Sequence, residues 1–123
     1  MRAVAEGNGV SASEATTQLL KGVLDLAVLA VLRTGDAYGY EVVRRLREAG
    51  LGDVGDASVY GTLRRLYGAG SLSNYVVPSE EGPHRKYYGL TPVGRERFQR
   101  EAATWRRFAA AMEGLVRETE EVR

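Results

Sequence analysis

Leu72-Ser73-Asn74-Tyr75-Val76-Val77, then Pro78-Ser79-Glu80-Glu81-Gly82-Pro83, then His84-Arg85-Lys86-Tyr87-Tyr88-Gly89-Leu90-Thr91-Pro92: this stretch decides the fold. The run from Leu72 to Val77 carries Tyr75, Val76 and Val77, and the run from Arg85 to Leu90 carries Tyr87 and Tyr88. Aromatic and β-branched side chains suit a pleated, half-buried surface. The linker between them is built from proline, glycine and serine, which make turns. The spacing predicts a β-hairpin with a long tip. Thr91-Pro92 then predicts the start of a helix. The threonine hydroxyl can accept from an orphan N–H, and proline at the first helical position lacks only a donor that would have no partner there.

Outward from the hairpin, the apolar spacing is helical. Upstream, Val59, Leu63 and Leu66 recur at i, i+4 and i+7 and predict a helix from a capping Asp56 to about Gly68. At about 100° per residue, Ala57, Ser58, Gly61, Arg64 and Arg65 fall on its outer side. Before it, Tyr38 to about Ala49 predicts a helix with Val42, Val43 and Leu46 inside and Gly50 as its stop. Residues 50–55 read as a loop. Further upstream, Leu19, Leu20, Val23, Leu24, Ala27, Val28, Val31 and Leu32 predict a first helix, capped by Thr16 or Thr17 and ended by Gly35-Asp36. Its apolar surface is wide, so it should be buried on more than one side. Residues 1–15 show no apolar period and read as a disordered tail. Downstream of Thr91, the residues Phe98, Ala102, Trp105, Ala109, Met112 and Leu115 form a stripe suited to packing against another helix. Past about Val116 the helix is expected to fray.

The order helix, helix, helix, hairpin, helix is that of a winged helix-turn-helix. The fold class expected is mainly α with a small β-hairpin wing (α+β). It divides into a tail at 1–15, a winged domain at 16–91, a C-terminal dimerisation helix at 92–118 and a frayed end at 119–123. No internal repeat is visible.

Composition narrows the function classes. With 123 residues and 44% hydrophobic content, the chain can build one modest core, and a second copy would add burial. It contains no cysteine, which excludes disulfides and thiolate metal sites and fits a cytoplasmic location. The longest apolar run, Val23 to Leu32, is interrupted by Asp25 and too short to span a bilayer. The N-terminus lacks the apolar run of a secretory signal. His84 is the single histidine, so a metal site is not expected. No nucleophile–base pair and no phosphate-binding loop with its lysine and hydroxyl can be found, so neither an enzyme nor a cofactor is expected. The net charge of +1 is low for a nucleic-acid binder, so the local distribution of charge must decide.

That distribution favours two elements. In a helix-turn-helix the second helix of the motif enters the major groove. Here that helix presents Arg64 and Arg65, whose guanidinium forks fit guanine edges or phosphates. Ser58 lies in its first turn, where backbone N–H groups favour phosphate, and the Tyr60 hydroxyl can donate to phosphate. On the wing, His84, Arg85 and Lys86 can lie along the backbone or in the minor groove, although Glu80 and Glu81 stand nearby. Read without DNA, the same surfaces serve a winged-helix module that recruits a protein partner. Trp105 reads as packing, or as a stacking platform for a flat aromatic ligand.

Tyr38-Gly39-Tyr40-Glu41, Ser58-Val59-Tyr60-Gly61-Thr62-Leu63-Arg64-Arg65-Leu66 and Gly82 through Gly94 together resemble the PadR family of transcriptional regulators, over roughly residues 17 to 115. The resemblance implies a winged helix with a C-terminal dimerisation helix, in a family whose members usually repress transcription. It places Tyr38 and Tyr60 at the family's helix-two and helix-three tyrosines, as phosphate-contact or positioning residues. Tyr67 and Ser71 depart from the family's usual glutamate and aliphatic residue. The MarR family has a similar wing but builds its dimer from helices at both ends, so the single strong C-terminal helix favours PadR. Trp105 is similar in position to a tryptophan of the multidrug-binding branch, where paired indoles sandwich a planar drug, and Leu19, Gly22 and Leu26 are the candidate walls. The resemblance thus implies a ligand-responsive homodimer on an inverted-repeat operator in double-stranded DNA. The expected contacts are Tyr38, Ser58, Tyr60, Gly61, Arg64, Arg65, His84, Arg85 and Lys86, with a planar aromatic effector.

Overall fold

A computed structural model describes residues 19–51 and 54–121. The elements are α1 (Leu24–Arg33), β1 (Ala37–Tyr38), α2 (Gly39–Glu48), α3 (Asp56–Gly68), β2 (Leu72–Val77), β3 (Arg85–Leu90) and α4 (Pro92–Glu121). The expected tail and the Thr16/Thr17 cap lie outside the described residues. The three inner helices pack against one another and against the sheet, and α4 runs from the end of β3 across α1.

The first helix departs from its expected span. Leu19 and Leu20 are helical, Lys21–Val23 form a turn, and α1 begins only at Leu24. Gly22 N–H donates to Leu19 C=O at 3.4 Å and Val23 N–H to Leu20 C=O at 2.9 Å, so the chain tightens to an i→i+3 pattern there. Glycine lowers the local helix propensity by about 1 kcal/mol relative to alanine. The turn sends Leu20 into the core and leaves Leu19 at 80% exposure.

Two further boundaries differ. Tyr38 does not open α2; it belongs to β1, whose Ala37 and Tyr38 pair antiparallel with Tyr88 and Tyr87 of β3. The wing is therefore a three-stranded sheet in the order β1-β3-β2. Two residues are too few for an alternation to register in sequence. Asp56 is not the cap of α3; Gly55 takes that position without a side-chain bond. Asp56 stands in the first turn, where a negative charge suits the helix dipole, and its carboxylate accepts from Arg47 Nη2 at 3.0 Å.

The remaining periodicities close the core as read. Val28, Leu29 and Leu32 of α1 meet Val42, Val43 and Leu46 of α2 and Val59, Leu63 and Leu66 of α3, with Leu72 and Tyr88 from the sheet. Gly50 ends the α2 region at φ +96°, a backbone conformation that side chains resist. Thr91 caps α4 by accepting from Gly94 N–H at 3.0 Å, and its hydroxyl donates to Gly70 C=O at 2.6 Å. Gly94 packs directly on the Ser71 carbonyl, where a Cβ would collide. The departure at Ser71 thus sits, buried, at the joint between hairpin and α4.

Candidate nucleic-acid interface and the adjoining cavity

The outer side of α3 is exposed at Ala57, Ser58, Arg64 and Arg65 and half-buried at Gly61. The two arginines, adjacent in sequence, diverge. Arg64 folds back over Gly61 and interacts electrostatically with Tyr88 of β3, and it forms no ion pair among the described residues. Arg65 turns toward α1, where its two terminal nitrogens donate to both oxygens of Asp25 at 3.0 and 3.2 Å. A crevice of about 350 Å³ runs along this side of α3, bounded by Ser58, Gly61 and Arg65 and by Lys21 and Asp25.

Tyr60 is positioned by close approach. Its ring lies on Gly39 at the start of α2, at the place a Cβ would occupy. Burial pushes its phenol above the usual tyrosine range, with the Asp56 charge acting in the same direction. Tyr38 lies on the outer face of the sheet, its ring centroid 5.4 Å from that of Tyr87 and 6.4 Å from that of Tyr40. Tyr75 stacks on Tyr87 at 5.7 Å and donates its hydroxyl to Asp36 at 2.7 Å.

The basic run of the wing does not form one face. Arg85 lies over the Tyr38 ring at 4.6 Å. Lys86, the next residue of β3, points to the opposite side of the sheet, as alternation requires. His84 is exposed at the tip side, together with Glu80 and Glu81.

The α4 stripe divides as well. Phe98 and Ala102 are spent within the chain: Phe98 packs against the core beneath Arg33, whose guanidinium lies 5.5 Å from its ring, and Ala102 is buried. Trp105 (44% exposed), Phe108 (57%), Met112 (44%) and Leu115 stay outside, with Ala109 half-buried. Trp105 and Phe108 pack tilted at 6.2 Å. They form one wall of an open apolar cavity of about 1140 Å³, and Leu19, Gly22 and Leu26 form another. The four ligand-site residues expected from sequence are thus brought together, and Leu19 owes its place there to the turn at Lys21–Val23.

Asp25, Arg97 and Glu101 were missed by the sequence reading. Asp25 takes Arg65 and, at 2.9 Å, Arg97, whose Nε donates to Glu101 at 2.7 Å. The signal was present: a lone carboxylate interrupting the apolar run from Val23 to Leu32 needs a partner when that run is packed. Among the described residues no group of three or more His, Cys, Asp or Glu side chains could hold a metal ion, and no helix is long and apolar enough to cross a membrane.

Comparison with known proteins gives a consistent result. The profile of the transcriptional regulator PadR-like family matches residues 28–100. A padr family transcriptional regulator from Eggerthella lenta superposes with a TM-score of 0.78 at 27% identity, covering 98% of this chain and 100% of that one. A PadR-like regulator from Bacillus cereus gives 0.72 at 30% identity over 80% of this chain and 96% of the other. PadR of Bacillus subtilis, solved in complex with operator DNA, gives 0.61 at 23% identity, covering 65% of this chain and 46% of that one. At that identity the likeness concerns the fold. A 37.1 kDa protein in transposon TN4556 of Streptomyces fradiae is 32% identical over 84 residues, which are 68% of this chain and only 23% of that protein.

Proposed function

The chain belongs to the PadR-like family of transcriptional regulators, and from that premise we propose that it represses transcription as a homodimer bound to an inverted-repeat operator in double-stranded DNA. The observation that carries this reading is the exposed side of α3, where Arg64 stands without an ion-pair partner among the described residues, on a helix whose other side is fully packed. A guanidinium in that position is free to fork onto a guanine edge or a phosphate. The operator complex of the Bacillus subtilis relative supports the same use of this fold. Ser58, Tyr60 and Gly61 form the surface beside Arg64. The wing contributes Arg85, backed by Tyr38, at the backbone, with His84 at the tip side and Lys86 reaching from the opposite face of the sheet.

The dimer reading rests on α4. Trp105, Phe108 and Met112 leave an apolar strip uncovered on a helix that projects past its own core, and a second copy is the partner that symmetry favours. Two copies of α3 would then lie about one DNA turn apart. The cavity against Trp105 suits a planar aromatic effector, since indoles offer large faces for offset stacking. An effector there couples to DNA affinity through the placement of α4. The site of action is the cytoplasm, where the operator is.

The test is a footprint and a binding titration on the DNA upstream of its own gene. Protection of an inverted repeat is expected, with Arg64→Ala weakening binding by about 1–3 kcal/mol. Equal binding by Arg64→Ala and the parent chain would remove α3 as the reader. Planar aromatic compounds should quench Trp105 fluorescence; a panel without quenching leaves the indole as packing alone.

A further inference from the structure

Asp25 stands in the first turn of α1 and binds two arginines from distant parts of the chain. Arg65 reaches it from α3, and Arg97 from α4. Arg97 in turn is held by Glu101, one helical turn before Trp105. A single carboxylate thus joins the DNA-facing helix to the helix that lines the cavity. Asp25 and Arg65 also bound both spaces: the large apolar cavity on one side and the crevice along α3 on the other. Their ion pair is the wall between them.

The chemistry of Arg65 makes this contact consequential. Its bidentate fork uses both terminal nitrogens on Asp25, and a phosphate would need the same two donors. The side chains are 61% and 27% exposed. Exposed ion pairs shift an equilibrium by roughly fivefold or less, so a phosphate arriving at α3 can displace the carboxylate. Asp25 divides its charge between two arginines; once Arg97 leaves, all of it falls to Arg65.

We infer that the Asp25–Arg65 pair is an autoinhibitory contact: Arg65 is held in reserve by Asp25 and released to the DNA backbone, and α4 sets the strength of the hold through Arg97. The inference rests on the DNA-binding function proposed above. A displacement of α4 that pulls Arg97 away leaves Asp25 to grip Arg65 alone, and DNA affinity falls. The direction suits a repressor that lets go when its cavity is filled.

The test uses the full chain, titrated onto a duplex from upstream of its own gene and onto a scrambled duplex of equal length, at several salt concentrations. Asp25→Asn should tighten binding to both duplexes by about threefold to fivefold, and Arg65→Gln should flatten the salt dependence by about one unit per subunit. In an Arg65→Gln background the same change should do nothing. Arg97→Gln should weaken binding when Asp25 is present and have no effect when it is Asn. Thermal unfolding is followed for each variant. If Asp25→Asn fails to fold, Asp25→Ser replaces it: a hydroxyl carries no charge to hold the guanidinium, so binding should tighten in the same way. Weaker or unchanged binding by Asp25→Asn, or by Asp25→Ser where it stands in, overturns the inference. A parent chain that binds neither duplex overturns the DNA-binding reading itself, and the inference with it.

Discussion

The winged head and the α4 arm draw on the same apolar residue types and dispose of them in opposite ways. In the head, Val28, Leu29, Val42, Val59, Leu63 and Leu66 are all sealed from water, each helix contributing one face to a shared centre. On the arm, Phe98 and Ala102 pack into the head; from Trp105 onward the large apolar residues Trp105, Phe108 and Met112 stand exposed, with Ala109 half-buried. The difference separates two kinds of stability. The head's core is complete within one chain, so its folding should be independent of concentration. The arm's stripe finds no cover among the described residues, so its order should depend on a partner.

The largest effect expected comes from breaking the head. Leu63→Ala removes a fully buried side chain at the centre of α3 and should cost about 2–5 kcal/mol. Chemical denaturation should show the loss equally at low and high protein concentration. A concentration-dependent loss would mean that the head, too, relies on a partner. Next in size is the arm. Phe108→Glu places a charge in the exposed strip and should weaken self-association by about 2 kcal/mol per subunit, with the circular dichroism of the head unchanged. Sedimentation over a range of concentrations measures this, and a variant that remains as associated as the parent chain would move the interface off α4.

Two smaller changes sharpen the picture of the head. Tyr75→Phe deletes the hydroxyl that Asp36 accepts at 2.7 Å. The pair is exposed, so only a small downward shift in urea midpoint is expected. The smallest effect is on alkaline stability. Burial raises the phenols of Tyr60 and Tyr88 above their usual value of 10.0. A folded-state value above the unfolded one contributes stability that is complete below about pH 10 and is lost as pH rises through the folded value. The urea midpoint should therefore fall between pH 9 and pH 11, and Tyr88→Phe should flatten that fall. An unchanged slope in the variant would remove Tyr88 as a contributor.

Much of this architecture can be read locally. The two hairpin strands, the end of α3 at Gly68, its inner stripe and the Thr91-Pro92 start of α4 each lie in a few consecutive residues, because a helix repeats in 3.6 residues and a strand in two. Candidate contacts were legible in the same way as far as exposure goes: Arg64 and Arg65 both face outward. Their different fates were not. Arg65 is taken by a carboxylate 40 residues away, and that carboxylate by an arginine 72 residues further along the chain. No periodicity records such distances.

By itself, then, the sequence determined the order of elements, the core faces and the family, since all of these are written in neighbouring residues and in motif. Tertiary structure alone decided that Tyr38 joins a third strand, that the chain turns at Gly22 to expose Leu19, that Phe98 and Ala102 belong to the head, and that Arg65 is already engaged. Each of these depends on which surfaces meet when α1, α3 and α4 pack, and that is settled by the burial of all of them together, not by any one segment.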